Sequence, residues 1–326
     1  MMLEKRLRVA NLPTPIQMLQ NLSELLELTF YIKRDDFTGM ELSGNKVRKL
    51  EYIMSEVVNL GYDTVITCGG PQSNHARTTS YLANQLGIDC HLVLAKSKKE
   101  LSYTGNYFLN DLACSRLEWI DEEEFDESYL NKYMDELARE YLKYGKNAYC
   151  IPLGASNALG NLGYMNCVKE IKNQIPRGIK FDRIVVTVGS GGTYAGLLLG
   201  IKKFMPDVKL TGINVRKERE YFIDYISKIA NETIDEFDLE LEEIHSSEID
   251  IIDGYVGEGY RIPSDDEITF IKNIIKKEGI IFDPTYTGKA AYGFYKEVMK
   301  GRFKGETILF IHTGGQMGVF GSTDYF

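Results

Sequence analysis

The sequence predicts an α/β protein built on mainly parallel, open, twisted sheets with helices on both faces. Continuous apolar runs of about five residues, the signature of strands buried on both sides, recur at Thr64–Cys68, Cys90–Leu94, Ile184–Val188 and Thr307–Ile311. Stretches with apolar residues three and four apart separate them. Several runs end in glycine-rich junctions: Gly69-Gly70, Gly189-Ser190-Gly191-Gly192 and Gly314-Gly315. The 326 residues suggest two such units, or one with an insertion, and the second half repeats the style of the first.

Taken in order, Leu12-Pro13-Thr14-Pro15 is an extended lead-in to a helix through Leu19, Leu22, Leu25 and Leu26. Thr29 to Lys33 reads as a short strand, and the charged turn Arg34-Asp35-Asp36-Phe37 reads as solvated. A helix then starts at Ser43 or Asn45, either of which can cap it, and carries an apolar stripe at Leu50, Ile53, Met54, Val57 and Val58. Further helices are expected near His75, over 105–113, through Leu130, Met134 and Leu137, over 216–245 and over 266–278. Strands are expected at 116–120, 148–152 and 210–215. The acidic run Asp121 to Glu124 reads as a solvated loop. Glycines 154, 160 and 163 punctuate the chain and mark a possible domain boundary.

Composition bounds the function. The chain is 44% hydrophobic and 26% charged, ordinary for a globular protein, with a formal net charge of −9. The basic runs, such as Lys96-Ser97-Lys98-Lys99, are too short for a nucleic-acid footprint. No apolar run approaches membrane-spanning length, and the first residues do not read as a leader. The five cysteines (Cys68, Cys90, Cys114, Cys150, Cys167) contain no CxxC pair. Cys68, Cys90 and Cys150 sit in apolar, strand-like runs and read as reduced core residues of a cytoplasmic protein. The four histidines lack metal-ligand spacing, so no metal is expected. No Gly-x-Ser-x-Gly elbow is present.

Chemistry concentrates at four places. Lys46 lies four residues before Leu50, on the face of the apolar stripe, with Lys49 one turn away and Arg48 on the opposite side. Burial, the helix N-terminus and a second ammonium all depress such a lysine's pKa, which suits Schiff-base chemistry. The alternative is a lysine that snorkels to water. Gly189-Ser190-Gly191-Gly192-Thr193 feeds a helix, so its amides and hydroxyls can hold a phosphate; a tight turn without ligand is the alternative. Tyr194 occupies the third glycine position of a dinucleotide fingerprint, and no P-loop lysine follows, so a phosphomonoester fits best. Gln72-Ser73-Asn74 opens another helix, suited to a carboxylate or to simple capping. Thr313 follows the last strand with a hydroxyl to offer. A reactive lysine, a phosphate cup and a carboxylate pocket are the parts of a pyridoxal-phosphate enzyme acting on an amino acid. Outside enzymes, a phosphate-ligand or nucleotide-binding module shares some of them.

The segments Ser-Gly-Asn-Lys46-Val-Arg-Lys49-Leu-Glu, Gly-Gly-Pro-Gln72-Ser73-Asn74-His-Ala-Arg, Gly-Ser-Gly-Gly-Thr193 and Asp-Pro-Thr-Tyr286-Thr287-Gly-Lys resemble the D-cysteine desulfhydrase / 1-aminocyclopropane-1-carboxylate deaminase family. Thr14-Pro15-Ile16 and Lys33-Arg34-Asp35-Asp36 match as well. This resemblance implies a tryptophan-synthase-β-like fold, with residues 1–47 and 157–326 in a large cofactor domain and 48–156 in a small one. It implies pyridoxal 5'-phosphate carried on Lys46, with Asn74 on the ring 3-oxygen and Ser190, Gly191, Gly192 and Thr193 on the phosphate. It places Tyr286 against the ring, Tyr260 facing the substrate and Thr313 at the pyridine nitrogen. Ser73, with its neighbours Gln72 and Asn74, takes the substrate carboxylate. Lys46 or Lys49 takes the α-proton. The deaminase pattern has a glutamate after the active tyrosine and a leucine before the final Gly-Gly, where this chain has Thr287 and Thr313. That departure favours β-elimination from D-cysteine over cyclopropane ring opening, with sulfite release from L-cysteate as a further rival. The family implies a homodimer.

Overall fold

The computed structural model describes residues 2–96, 102–121 and 126–326. Most of the Lys96–Lys99 run and most of the Asp121–Glu124 run lie outside them. Two sheets organise the chain. The first has six strands in the order β1 (Ile16–Met18), β2 (Thr29–Arg34), β10 (Thr307–His312), β7 (Arg183–Val188), β8 (Lys209–Asn214) and β9 (Ile251–Ile252). Only the β1–β2 pair is antiparallel. The second has four parallel strands: β5 (Arg116–Asp121), β4 (Asp89–Lys96), β3 (Thr64–Gly69) and β6 (Ala148–Ile151). This is the two-sheet α/β architecture expected. The two short strands β1 and β9 were not anticipated, because each is too brief to show a pattern.

The helices are α1 (Gln20–Leu26), α2 (Asn45–Asn59), α3 (Asn74–Gln85), α4 (Gly105–Ala113), α5 (Glu127–Lys143), α6 (Ala158–Gln174), α7 (Gly192–Phe204), α8 (Arg219–Phe237), α9 (Asp265–Glu278), α10 (Thr287–Met299) and α11 (Gln316–Val319). Three expectations need correction here. Gly160 and Gly163 are not punctuation but lie inside α6. A side chain on Gly163 would begin 2.3 Å from the Arg48 carbonyl oxygen, so its absence lets α6 and α2 touch backbone to backbone. The helix expected over 216–245 stops at Phe237, where Asp238 turns left-handed (φ 46°). Neither Ser43 nor Asn45 caps α2. The cap is Gly44 at φ 103°, and a side chain there would meet the Thr313 carbonyl at 2.8 Å. Glycine thus lets the start of α2 abut the end of β10, where the Asn45 amide donates to the Thr313 carbonyl (3.0 Å).

The charged turn is also buried, not solvated. Asp35 and Asp36 are within 4% of full burial. Asp35 accepts from Arg48 Nε (2.9 Å), Arg48 Nη2 (2.8 Å), the Tyr164 hydroxyl (2.6 Å) and the Thr14 hydroxyl (2.8 Å). Arg48 also reaches both oxygens of Glu170 (3.0 Å each), and Lys33 joins Glu170 and the Thr14 carbonyl. This network bolts β2 and α2 to α6. All five cysteines are free, with Cys68, Cys90 and Cys167 fully buried.

Candidate active site

The carboxyl ends of β3, β7, β8 and β10 converge on one cavity of about 460 Å³, within the usual range for small-molecule sites, about 300–1,000 Å³. Its lining includes Lys46, Ser73, Asn74, Ser190, Gly191, Thr193, Tyr260, Tyr286 and Thr313. Residues up to 267 positions apart in sequence are therefore neighbours through strand order alone.

Lys46 enters from the first turn of α2. Its Nζ lies 3.5 Å from the Gly154 carbonyl oxygen. Burial, and then the Arg216 guanidinium, push its pKa down to about 8. The depressing charge is therefore chiefly a residue that sequence reasoning passed over, not Lys49. Lys49 is fully buried beneath the floor, where its Nζ donates to the Gly154 carbonyl (2.7 Å) and the Ser156 hydroxyl (3.1 Å). It is not part of the lining, and burial and then Lys46 hold its pKa well below the ordinary lysine value. Uptake of an aldehyde cofactor by Lys46 should follow the free-amine fraction. The expected rate constant rises nearly tenfold per pH unit below about 8 and levels above it. Stopped-flow growth of the bound cofactor's visible absorption checks this; a flat profile from pH 6 to 9 would be inconsistent with it.

The glycine cup sits where β7 hands over to α7, whose first amides lack intrahelical partners. Thr193 accepts from Asn45 Nδ2 (2.9 Å), and Ser156 donates to Ser190 (3.0 Å). Gly192 is excluded from the lining: a side chain on it would begin 2.6 Å from Lys49 Nζ, so it serves close packing. On the opposite wall, Ser73 caps α3 by accepting from the Ala76 amide (3.1 Å) while its hydroxyl still lines the cavity. The capping reading of that residue is shown, and its place on the cavity wall leaves the carboxylate reading open. Asn106 Nδ2 donates to Asn74 Oδ1 (2.8 Å), which leaves the Asn74 amide nitrogen free to face the cavity.

Besides Lys49 and Gly192, two more predicted residues lie outside the lining. Gln72 is spent on the Thr104 carbonyl (2.9 Å) and the Asn106 amide (2.8 Å), outside the lining. Thr287 is fully buried behind the wall, donating to Asp283 (2.7 Å), so of the two specificity positions only Thr313 faces the cavity. Tyr286 and Tyr260 share a hydroxyl–hydroxyl hydrogen bond. Burial, and then Tyr260, hold the Tyr286 phenol well above its ordinary pKa, so it stays protonated at neutral pH. Sequence reasoning missed Arg216, Arg261, Gly154 and Tyr325. Arg216 alone had a signal, because it lies two residues beyond the carboxyl end of β8 and such positions carry ligands. Among the described residues no His, Cys, Asp and Glu group forms a metal site.

These residues fit pyridoxal phosphate. A cavity-facing amine, an amide cup for an anion, Tyr286, and Gly189, where a side chain would begin 3.4 Å from the Tyr286 ring, border one space. The lining holds no carboxylate to repel the phosphate. Fold and site together define a cofactor-dependent α/β enzyme. The family model described as "Pyridoxal-phosphate dependent enzyme" matches residues 7–314, and the chain belongs to that family. It is 40% identical, over 97% of its length and 79% of the relative's, to an Arabidopsis thaliana protein named bifunctional D-cysteine desulfhydrase/1-aminocyclopropane-1-carboxylate deaminase, mitochondrial. A crystal structure described as an ACC deaminase homologue superposes with a TM-score of 0.90 at 38% identity, covering 99% of this chain and 96% of the other. An O-ureido-L-serine synthase shares the fold at 16% identity (TM-score 0.68, covering 98% and 92%). The chain is thus a pyridoxal-phosphate-dependent lyase of the kind the sequence resembled.

Proposed function

We propose that the protein catalyses β-elimination on a small amino acid, with D-cysteine going to pyruvate, sulfide and ammonia. The observation that carries this reading is the meeting of Lys46, the glycine cup, Ser73 and the Tyr260–Tyr286 pair in one cavity, with a threonine rather than a leucine at position 313. When bound, pyridoxal phosphate supplies the electron sink that makes the α-proton removable. Lys46 would hold it; Ser190, Gly191 and Thr193 would hold its phosphate, and the Asn74 amide nitrogen would serve its ring oxygen. Ser73 and the α3 N-terminus would orient the substrate carboxylate. The Lys46 amine would take the α-proton, and its depressed pKa suits it to act as a base near neutral pH. The Tyr286 phenol, which keeps its proton, stands ready to donate to the departing sulfur, with Tyr260 fixing its hydroxyl. Lys49 supports the floor, and Asn106 orients Asn74.

The relative's name carries cyclopropane deamination as the second reading, and release of sulfite from L-cysteate is a third. Incubation with D-cysteine, L-cysteine, L-cysteate and 1-aminocyclopropane-1-carboxylate separates them. Pyruvate with sulfide from D-cysteine is the expected result. 2-Oxobutanoate from the cyclopropane substrate alone would replace it with the deaminase. The same proposal assigns residues 1–47 and 157–326 to the cofactor domain and 48–156 to a smaller one, in a cytoplasmic homodimer. The plant relative is named as mitochondrial. No described helix is long and apolar enough to cross a membrane.

A further inference from the structure

The loop over 254–263 is held by a single buried cation. Lys289 Nζ on α10 donates to the carbonyls of Val256 (2.6 Å), Gly259 (3.0 Å) and Ile262 (2.7 Å). The clamp leaves Tyr260 and Arg261 projecting into the cavity. Arg261 sits at φ 69°, in the left-handed region that residues with a Cβ seldom adopt. Strained residues of this kind collect at ligand sites.

The Arg261 guanidinium has no hydrogen-bond or ion-pair partner among the described residues. Its Nη1 comes within 3.4 Å of where a side chain on Gly70 would begin, in the loop that leads to Ser73. Arg216, the other guanidinium of the lining, is already occupied. It stacks on Tyr260 at 5.2 Å, contacts the Gly189 carbonyl at 3.4 Å beside the phosphate cup, and lies 3.8 Å from Glu127. Among the described residues the lining holds no carboxylate that would neutralise Arg261. The substrate carboxylate has its own receptor at Ser73 and the α3 N-terminus. A second, unmatched positive charge therefore faces the substrate end of the site.

We infer that Arg261 receives the negative charge on the substrate's β-substituent, making it a specificity residue for amino acids that expel an anion from Cβ. This rests on the β-elimination reading above. In that step the α-proton goes to a base, and the Cβ–S bond breaks with its electron pair leaving on sulfur. Water then releases pyruvate and ammonia, with no oxidant needed. Sulfide and sulfite both leave as anions, whereas opening a cyclopropane ring expels none. With D-cysteine the contact forms as charge develops on the departing sulfur, whereas a sulfonate carries its charge throughout and is therefore the sharper probe of Arg261.

Arg261→Gly tests this, because glycine adopts φ 69° without strain and the fold is not put at risk. Calorimetric titration of the holoenzyme with sulfoacetate and with acetate is the binding readout. Sulfoacetate affinity is expected to fall about tenfold or more in Arg261→Gly and to recover in part in Arg261→Lys, with acetate unchanged. In turnover, the ratio of kcat/KM for L-cysteate to that for 1-aminocyclopropane-1-carboxylate is expected to fall by a similar factor. Equal losses for sulfoacetate and acetate would make Arg261 a receptor for the α-carboxylate and overturn the inference, as would no loss at all. If no substrate yields a 2-oxo acid but sulfoacetate binding still depends on Arg261, the β-elimination reading fails and the anion receptor stands.

Discussion

Lys46→Ala should abolish turnover and remove the visible absorption of covalently held cofactor, while leaving the fold intact. The loss in kcat is expected to exceed about 10³-fold, since one nitrogen both anchors the cofactor and moves the proton. The fold should survive because the side chain borders the cavity rather than filling the core, and its one polar contact is the long 3.5 Å approach to Gly154. Exogenous alkylamine should restore part of the rate, as replacement of a base permits, but not the covalent absorption. Retention of that absorption in the purified variant would show that another amine holds the cofactor. Among the described residues Lys49 is the neighbouring lysine, and its Nζ is committed to Gly154 and Ser156.

How much of this site could be read from sequence depends on how local each signal is. Lys46, Ser73 and the cup at 189–193 were legible because each sits where a strand pattern gives way to a helix pattern, and a helix start advertises its free amides over a few residues. The order of strands and helices was legible for the same reason. What failed was information carried by distant partners. The Arg34-Asp35-Asp36 turn looks solvated until Arg48 and Glu170 arrive from two other elements, α2 and α6. Gly163 looks like a break because the residue that needs its missing side chain, Arg48, is more than a hundred positions away. Gln72 and Thr287 belong to site motifs by position, yet their side chains turn to Asn106 and Asp283. Arg261 was hidden because nothing in a glycine- and tyrosine-rich stretch says which residue the loop will hold over the cavity.

The second large effect should come from a residue that touches neither cofactor nor substrate. Asp35→Ala is expected to destabilise the protein by about 3–5 kcal/mol, the usual result of removing one partner from a buried ion pair. Asp35 is fully buried, and its loss strands the Arg48 guanidinium with Glu170 alone. Because Arg48 lies two residues from Lys46 on α2, the variant should also lose cofactor more readily. Burial by itself raises the Asp35 pKa, but the charge and hydrogen bonds of Arg48, with Lys33 and Tyr164, outweigh it and leave it below the ordinary value. A carboxylate depressed on folding contributes stability that is complete above its unfolded pKa of about 3.9 and is lost as pH falls through the folded value. Wild-type stability should therefore fall more steeply than that of Asp35→Ala below about pH 4, and the two curves should converge in acid. Urea midpoints at pH 7 and across that range measure both effects. A difference below about 1 kcal/mol at pH 7, or parallel acid profiles, would mean that α2 is held by apolar packing alone. The double variant Asp35→Leu, Arg48→Met separates these cases. If the charges matter only as a pair, removing both should cost less than removing Asp35 alone.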